Sequence, residues 1–178
     1  MLLFSLAVLA ALSLLTEETK VNTHDVAKIC CGSNATQCCK DALDFMNPIS
    51  CPTLSVEQSL RAQMCAQRMI YGNDEYKQLS INDFQCCSVF GNNDNDPKDV
   101  CTKRCLHALQ TPSLPNARKL QQIHGCRLNL GDLPNCFDKC VAWLHSPEYR
   151  VLQKFNFSQH CDWTDRLMSG KLYIGPPV

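Results

Sequence analysis

The sequence predicts an all-α fold in which disulfides staple helical hairpin repeats that are joined by long loops. Three observations lead to this prediction. The chain of 178 residues contains 14 cysteines. A cysteine-bearing stretch with helical spacing occurs twice. Few segments alternate apolar and polar residues in the way that a half-buried strand requires.

The duplicated stretch carries three cysteines in each copy. The equivalent pairs, separated by 35 positions, are Cys101 and Cys136, Cys105 and Cys140, and Cys126 and Cys161. The spacing C-x3-C places the first two sulfurs of each copy one turn apart on one helix face. Each copy therefore predicts two helices and a turn, an αα-hairpin, whose last cysteine is positioned to staple back. We expect the two copies to use equivalent bridges.

Hydroxyl-proline pairs follow the first helix of each hairpin. In Thr111-Pro112 and Ser146-Pro147, the hydroxyl is predicted to be the N-cap of the next helix and the proline its first residue.

A further helix is predicted in the stretch SVEQSLRAQMCAQRMIYG. Ser55 and Gln58 have the spacing of a capping box, and Gly72 indicates the end of the helix. Its apolar residues near helical spacing are Val56, Leu60, Met64 and Ile70.

We divide the chain into four segments. Residues 1–19 are predicted to be a signal peptide, because their uncharged run MLLFSLAVLAALSLL is shorter than the about 20 apolar residues of a membrane-spanning helix. Residues 20–80 form a first cysteine-rich repeat, and residues 81–165 form a second one that contains the duplicated hairpin. Residues 166–178 form an extended tail, and no second apolar stretch follows the first.

All of the cysteines are predicted to form disulfides, because their number is even and they make up roughly 9% of the chain after the signal peptide, near the level of a disulfide scaffold. They are Cys30, Cys31, Cys38, Cys39, Cys51, Cys65, Cys86, Cys87, Cys101, Cys105, Cys126, Cys136, Cys140 and Cys161. Adjacent cysteines rarely bond to each other. Each adjacent pair is therefore predicted to tie one point of the backbone to two different elements.

The chain is predicted to be secreted into the extracellular space, where disulfides persist. Two N-glycosylation sequons agree with this prediction, one at Asn34 and one at Asn156. Lysine and arginine together number 17, as do aspartate and glutamate, so the formal net charge is zero. We therefore expect neither nucleic acid nor membrane insertion, and an extracellular or cell-surface protein as the partner.

The sequence predicts no catalytic site, no cofactor and no metal. It has no G-x-S-x-G or H-E-x-x-H motif, and its paired-cysteine segments lack the neighbouring histidine of secreted phospholipase A2. Zinc is disfavoured because the thiols of a secreted chain usually pair. In the loop NNDNDPKD, Asn92, Asp94 and Asp96 alternate like calcium ligands, but Pro97 and Lys103 replace the glycine and glutamate of an EF-hand. The cysteine spacing also excludes a Kazal inhibitor.

Two tryptophans are candidates for a binding surface, because tryptophan is enriched at binding hot spots. They are Trp143 and Trp163. Trp143 stands where the first hairpin has Ala108, so we expect specificity to lie where the two copies differ. Core packing is the competing interpretation for both rings.

The text FQCC…CTKRC…HGCRLNLGDLPNCF, from Phe84 to Phe137, resembles an N-terminal cysteine-knot (CC) repeat of RECK, the reversion-inducing cysteine-rich protein with Kazal motifs. SCPTLSVEQSLRAQMC resembles the second half of the preceding repeat. The resemblance implies an extracellular binding module whose partner is a Wnt ligand, an adhesion-class receptor or a matrix metalloprotease, and it carries over the scaffold cysteines alone. A secreted metalloprotease inhibitor, a nematode DB module, a GDNF-receptor/GAS1-like domain and a secreted enzyme are the alternatives.

Overall fold

The computed structural model describes residues 21–91, 96–126, 133–147 and 155–161. These residues form seven α-helices and one 3-10 helix, and none of them is in a strand. The elements are α1 Thr23–Cys31, α2 Thr36–Asp44, α3 Val56–Gln78, the 3-10 helix Ile81–Phe90, α4 Val100–Gln110, α5 Asn116–His124, α6 Leu133–Leu144 and α7 Phe157–His160. The predicted all-α class is confirmed. The signal peptide and the tail lie outside the described residues.

Helices α1 and α2 form a hairpin that packs on α3. Three disulfides hold it: Cys31–Cys39, Cys38–Cys51 and Cys30–Cys65. The core beneath them contains Val26 and Leu43 with small residues that allow close approach. A hydrogen bond of 2.7 Å from the hydroxyl of Thr23 to the carboxylate of Asp44 fixes the open end of the hairpin. The turn that contains Asn34 therefore lies at the opposite end.

Helix α3 lies between two hydrophobic cores. Ala62, Ala66 and Ile70 face the core of the α1–α2 hairpin, whereas Leu60 and Met64 face the core of the remaining helices. Val56 is 80% exposed. The four apolar positions that the sequence placed on one helical stripe thus have three different environments. The helix connects the two cores by offering a side to each.

The helix predicted between Ser55 and Gly72 begins and ends where the sequence indicates. The backbone N–H of Gln58 donates to the Ser55 hydroxyl, and the Gln58 side chain accepts from the backbone N–H of Ser55 at 2.8 Å, so the capping box is confirmed. At Gly72 the helix breaks, with φ 83° and ψ 173°. A short helical segment then continues to Gln78. Residues with a side chain rarely adopt this backbone conformation, which explains the glycine at this position.

Replacing Gly72 by alanine should lower the free energy of unfolding by about 1–3 kcal/mol, because the new side chain would occupy a region of φ and ψ that is nearly restricted to glycine. Nothing lies within 4 Å of the added Cβ, so backbone strain alone accounts for the loss. Gly91→Ala is the matched control, since Gly91 has φ −74° and its added Cβ would meet only ordinary contacts. Urea unfolding of both variants measures the difference, and an equal loss would refute the explanation.

The 3-10 helix is the point to which both duplicated hairpins are tied. Cys87 bonds to Cys105 of α4, and Cys86 bonds to Cys140 of α6. These two partners are the equivalent second cysteines of the two C-x3-C helices. The adjacent cysteine pair is therefore a junction, as predicted, and no described adjacent pair bonds internally.

Each hairpin also carries an internal staple. Cys101–Cys126 joins the two ends of the first hairpin, α4 to α5, and Cys136–Cys161 joins α6 to α7 in the second. Both staples span the same sequence separation of 25. The two copies thus use equivalent bridges.

The predicted role of the two hydroxyls after the hairpin helices is wrong. Thr111 ends α4 instead of beginning α5, and its hydroxyl donates to the carbonyl of His107 at 2.7 Å. Ser146 donates in the same way to the carbonyl of Trp143 at 2.7 Å. The last carbonyls of a helix have no partner within the helix. Both hydroxyls satisfy such carbonyls, and α5 begins five residues after Thr111, at Asn116.

Candidate functional site

The cysteines leave no thiol for catalysis or metal binding. All 14 are bonded in the seven disulfides, and there is no free cysteine. In residues 21–91, 96–126, 133–147 and 155–161, no group of three or more histidine, cysteine, aspartate or glutamate side chains could hold a metal ion. No helix within these ranges is long and apolar enough to cross a membrane. The cysteine-rich repeat is thus a frame.

The histidines are at least partly exposed, and two of them contact carboxylates. His124 at the end of α5 lies 2.8 Å from Asp138 of α6, which joins the two hairpins at the surface. His145, just after α6, lies 2.8 Å from Asp83 of the 3-10 helix. Both contacts connect one helix to another, which is a structural role.

A buried polar cluster joins α3 to α5. Lys119 has no exposed surface, and its ammonium group donates to the side-chain carbonyl of Gln67 at 3.0 Å. Gln67 in turn donates to the backbone carbonyl of Leu79 at 2.7 Å. Asn116 donates to the carbonyl of Glu75 at 2.7 Å. These bonds hold the α4–α5 hairpin against α3. The other side of α3 packs in the core of the α1–α2 hairpin.

Two charged groups that interact at this junction, Lys119 and Asp83, are strongly buried. Burial lowers the pKa of Lys119 from 10.5 to about 8, and the nearby carboxylates of Asp83 and Glu75 offset part of that effect. Burial also raises the pKa of Asp83, whereas the Ser80 backbone N–H, His145 and Lys119 lower it. The desolvation of a charge disfavours its ionised form. In both groups that effect outweighs the attraction of their partners.

A cleft of ≈ 300 Å³ opens beside the Asp83–His145 pair. Its lining includes Tyr76, Lys77 and Ser80. A perturbed acid beside a histidine in a cleft is a feature that enzymes use. Here, however, Ser80 is 3% exposed, and its hydroxyl accepts from the Asn82 backbone N–H.

Asp83 has a structural explanation of its own. Its second carboxylate oxygen accepts from the Ser80 backbone N–H at 2.7 Å and completes a capping box at the start of the 3-10 helix. Together with the anchoring of His145, this accounts for both carboxylate oxygens. The cleft thus shows an acid and a histidine that hold two elements together, and the hydroxyl of its one serine, Ser80, is already bonded to the backbone.

In the loop that resembles a calcium site, the carboxylate of Asp96 binds backbone N–H groups. Asp96 is 3% exposed, and its carboxylate accepts from the backbone N–H groups of Val100 and Cys101 at 2.9 and 2.8 Å. Negative charge at a helix start is stabilising. Asp96 therefore caps the first turn of α4 from four residues before its start and is buried. Asn92 and Asp94 lie outside the described residues.

The clearest exposed apolar feature is at the open end of the α1–α2 hairpin. Phe45 is 74% exposed, Met46 is 55% exposed and Val21 is 39% exposed. The Thr23–Asp44 hydrogen bond brings Val21, which precedes α1, to the same end as Phe45, which follows α2. We call these three residues the apolar tip. Single exposed apolar side chains are ordinary, but a group of them at one end of a hairpin indicates a contact surface.

The apolar tip includes a strained residue. Met46 has φ 51°, in the left-handed region. The N–H groups of Asn47 and Met46 donate to the carbonyls of Ala42 and Leu43, at 2.8 and 3.3 Å. This is the Schellman pattern, whose left-handed position is usually glycine. A methionine there costs about 1–2 kcal/mol, and no signal in the sequence pointed to it.

The structure places the predicted binding-surface residue Trp143 in the core. It is 9% exposed, and its ring packs edge-on against Phe155, with ring centroids 5.8 Å apart. Ala108, at the equivalent position, is also buried. The difference between the copies at this position is a difference of core packing. Trp163 lies outside the described residues.

The predicted glycosylation residues are both on the surface. Asn34 is exposed in the turn between α1 and α2, and Asn156 is exposed just before α7. A glycan at Asn34 would lie at the end of the hairpin opposite to the apolar tip. Neither residue contributes to the cleft lining.

The geometry defines a disulfide-stapled helical protein with a buried polar junction and an exposed apolar tip. The family described as Caenorhabditis elegans Her-1 matches residues 17–165. Protein her-1 of Caenorhabditis elegans is 31% identical over 151 residues, which cover 84% of this chain and 85% of that protein. The crystal structure of C. elegans HER-1 aligns with a TM-score of 0.67 at 29% identity, covering 83% of this chain and 100% of that one.

This chain belongs to the Her-1 family. The resemblance to the CC repeats of RECK is therefore wrong, and the Wnt and metalloprotease expectations that it implied lose their support. The error has a physical origin. A cysteine pair followed by C-x3-C is a spacing that ties two helices to one backbone point, so unrelated helical proteins with disulfides can share it.

Proposed function

We propose that this protein is secreted and acts by binding another protein outside the cell, without catalysing a reaction. The observation that supports the proposal most directly is the exposed apolar tip on a disulfide-stapled frame. A rigid frame loses little conformational entropy when it binds, which favours affinity. Membership of the Her-1 family is compatible with this proposal and supplies no partner.

The direct test of binding uses the fluorescently labelled, oxidised protein on intact cells from the source organism. We expect saturable binding that disappears when the cell surface is first stripped with trypsin, because the partner is a protein. A reduced and alkylated sample is the control, since it keeps the sequence and loses the frame. Binding that does not saturate, or that survives trypsin treatment, would argue against a protein partner.

Secretion predicts glycosylation at both sequons, because N-glycans are added in the secretory pathway. Expression in animal cells should yield medium containing a protein whose mass falls on treatment with a peptide N-glycosidase. Asn34→Gln and Asn156→Gln should each remove one glycan, and the double variant should be insensitive to the enzyme. An unglycosylated protein retained inside the cells would contradict the proposed location.

The cleft beside Asp83 is the feature that favours a secreted enzyme as the second candidate. His145→Gln distinguishes the two functions, because glutamine keeps a hydrogen-bonding side chain and cannot act as a general base. Binding proceeds unchanged in this variant if the histidine only anchors α6. A loss of biological activity with intact folding and intact cell binding would instead indicate catalysis.

A further inference from the structure

We propose that the apolar tip inserts into an apolar pocket rimmed by basic side chains on a partner protein. This inference rests on the proposed binding function and assigns it to one surface. The charge at this end favours a basic rim on the partner, because the helix turns next to the tip carry acidic residues. Asp25 lies in the first turn of α1, and Asp41 and Asp44 lie in the last turn of α2.

Among the residues from position 21 onward that the structure describes at this end, one lysine does not balance these acids. Lys40 pairs with Asp44, which leaves Asp25 and Asp41 in excess within that part of the chain. Asp41 accepts from the side-chain amide of Gln37 at 2.8 Å and makes no ion pair as short as that of Asp44. Acidic rims steer basic partners and repel acidic surfaces. The same rim disfavours anionic lipid, so a protein pocket is the better match for the tip than a membrane.

The backbone of Met46 supplies a second, independent observation. Glycine would fit φ 51° without strain, so the methionine side chain is held at the surface against a conformational cost. Strain of this kind concentrates at sites where the side chain has a use. Asp99 also has φ 51°, but aspartate tolerates the left-handed region. Met46 has no such explanation within the fold.

The tip differs from Phe84, the other phenylalanine among the exposed apolar residues. Phe84 on the 3-10 helix is 57% exposed, yet it has neither an adjacent exposed apolar residue nor a strained backbone. The Asn34 turn lies at the far end of the hairpin, so a glycan there would leave the tip open. Phe84 is therefore the matched control for Phe45.

The test selects ligands from a random dodecapeptide library displayed on phage, panned against the oxidised wild-type protein. We expect enriched peptides to combine aromatic or aliphatic residues with lysine and arginine. Phe45→Ser should weaken their binding by about 30-fold, as for a hot-spot residue. Phe84→Ser should leave it unchanged. Added salt and the double variant Asp25→Asn/Asp41→Asn should each weaken binding through the loss of charge attraction.

Met46→Gly gives the result that a merely structural role cannot reproduce. The variant should be more stable than wild type, because the strain is relieved, and should bind the selected peptides more weakly, because the side chain is gone. A gain in stability with unchanged binding would overturn the proposal. Peptides that bind Phe45→Ser as well as wild type, or a failure to enrich any peptide, would also overturn it.

Two further measurements test whether the tip instead binds a second copy of this chain or a lipid surface. Sedimentation velocity that shows a dimer in the wild type and a monomer in Phe45→Ser would assign the tip to a second copy of this chain. Co-sedimentation with phosphatidylserine vesicles that depends on Phe45 would assign it to lipid. Either result overturns the protein pocket. If Phe45→Ser keeps full trypsin-sensitive cell binding, the tip assignment fails while the binding function stands; if wild type shows no such binding, the function itself fails.

Discussion

Removing the Cys86–Cys140 bridge by the double variant Cys86→Ala/Cys140→Ala should lower the free energy of unfolding by about 4 kcal/mol. The estimate follows from the loop that the bridge closes, because its sequence separation of 54 is the largest of the seven. The bridge restricts the unfolded chain and ties the second hairpin to the 3-10 helix. Alanine is chosen because both sulfurs are buried, and serine would leave hydroxyls without partners.

The matched control removes the bridge with the shortest loop. Cys31–Cys39 has a sequence separation of 8, and its double alanine variant should lose about 2.5 kcal/mol by the same relation. Guanidinium unfolding of the oxidised proteins measures both values. A loss for the 86–140 variant that is equal to or smaller than the loss for the control would show that this bridge does not close the long loop.

Folding stability should rise by about 2 kcal/mol between about pH 7 and about pH 9.5, because of Lys119 alone. The unfolded chain keeps the proton of this lysine up to its ordinary pKa of 10.5, whereas the folded protein releases it near 8. Between these values the unfolded state binds more protons. Raising the pH therefore favours the folded state and relieves the cost of burying the cation.

Lys119→Met tests this account, because methionine fills a similar volume without a charge. The pH-dependent rise should disappear in this variant, although the side-chain carbonyl of Gln67 loses its donor. Lys28→Met is the control, since Lys28 is exposed on α1, and it should retain the rise. Thermal unfolding at several pH values gives the comparison. A rise that persists in Lys119→Met would mean that another group causes it.

The parts of the fold that the sequence predicts are those that depend on short spacings. The capping box at Ser55 involves residues three positions apart, and C-x3-C fixes two sulfurs on one turn. The hairpin staples follow from the superposition of two copies. In each case the residues that interact are close along the chain or are repeated within it.

The parts that the sequence missed depend on distant neighbours. The burial of Lys119 depends on Gln67, 52 positions away along the chain. The direction of the Thr111 hydroxyl depends on where α5 begins, and the motif alone allowed both directions. The apolar tip could not be predicted from the sequence, because only the packing of the helices determines that Phe45 is exposed and not in the core.

The duplicated cysteines form a frame with one junction, the adjacent residues Cys86 and Cys87, and none of the cysteines has a free thiol. Disulfide mapping of the non-reduced protein by mass spectrometry tests this pairing most directly, with electron-transfer fragmentation to separate the two adjacent cysteines. We predict Cys86–Cys140, Cys87–Cys105, Cys101–Cys126 and Cys136–Cys161. Pairings that differ between the two hairpins, or a free thiol, would contradict it.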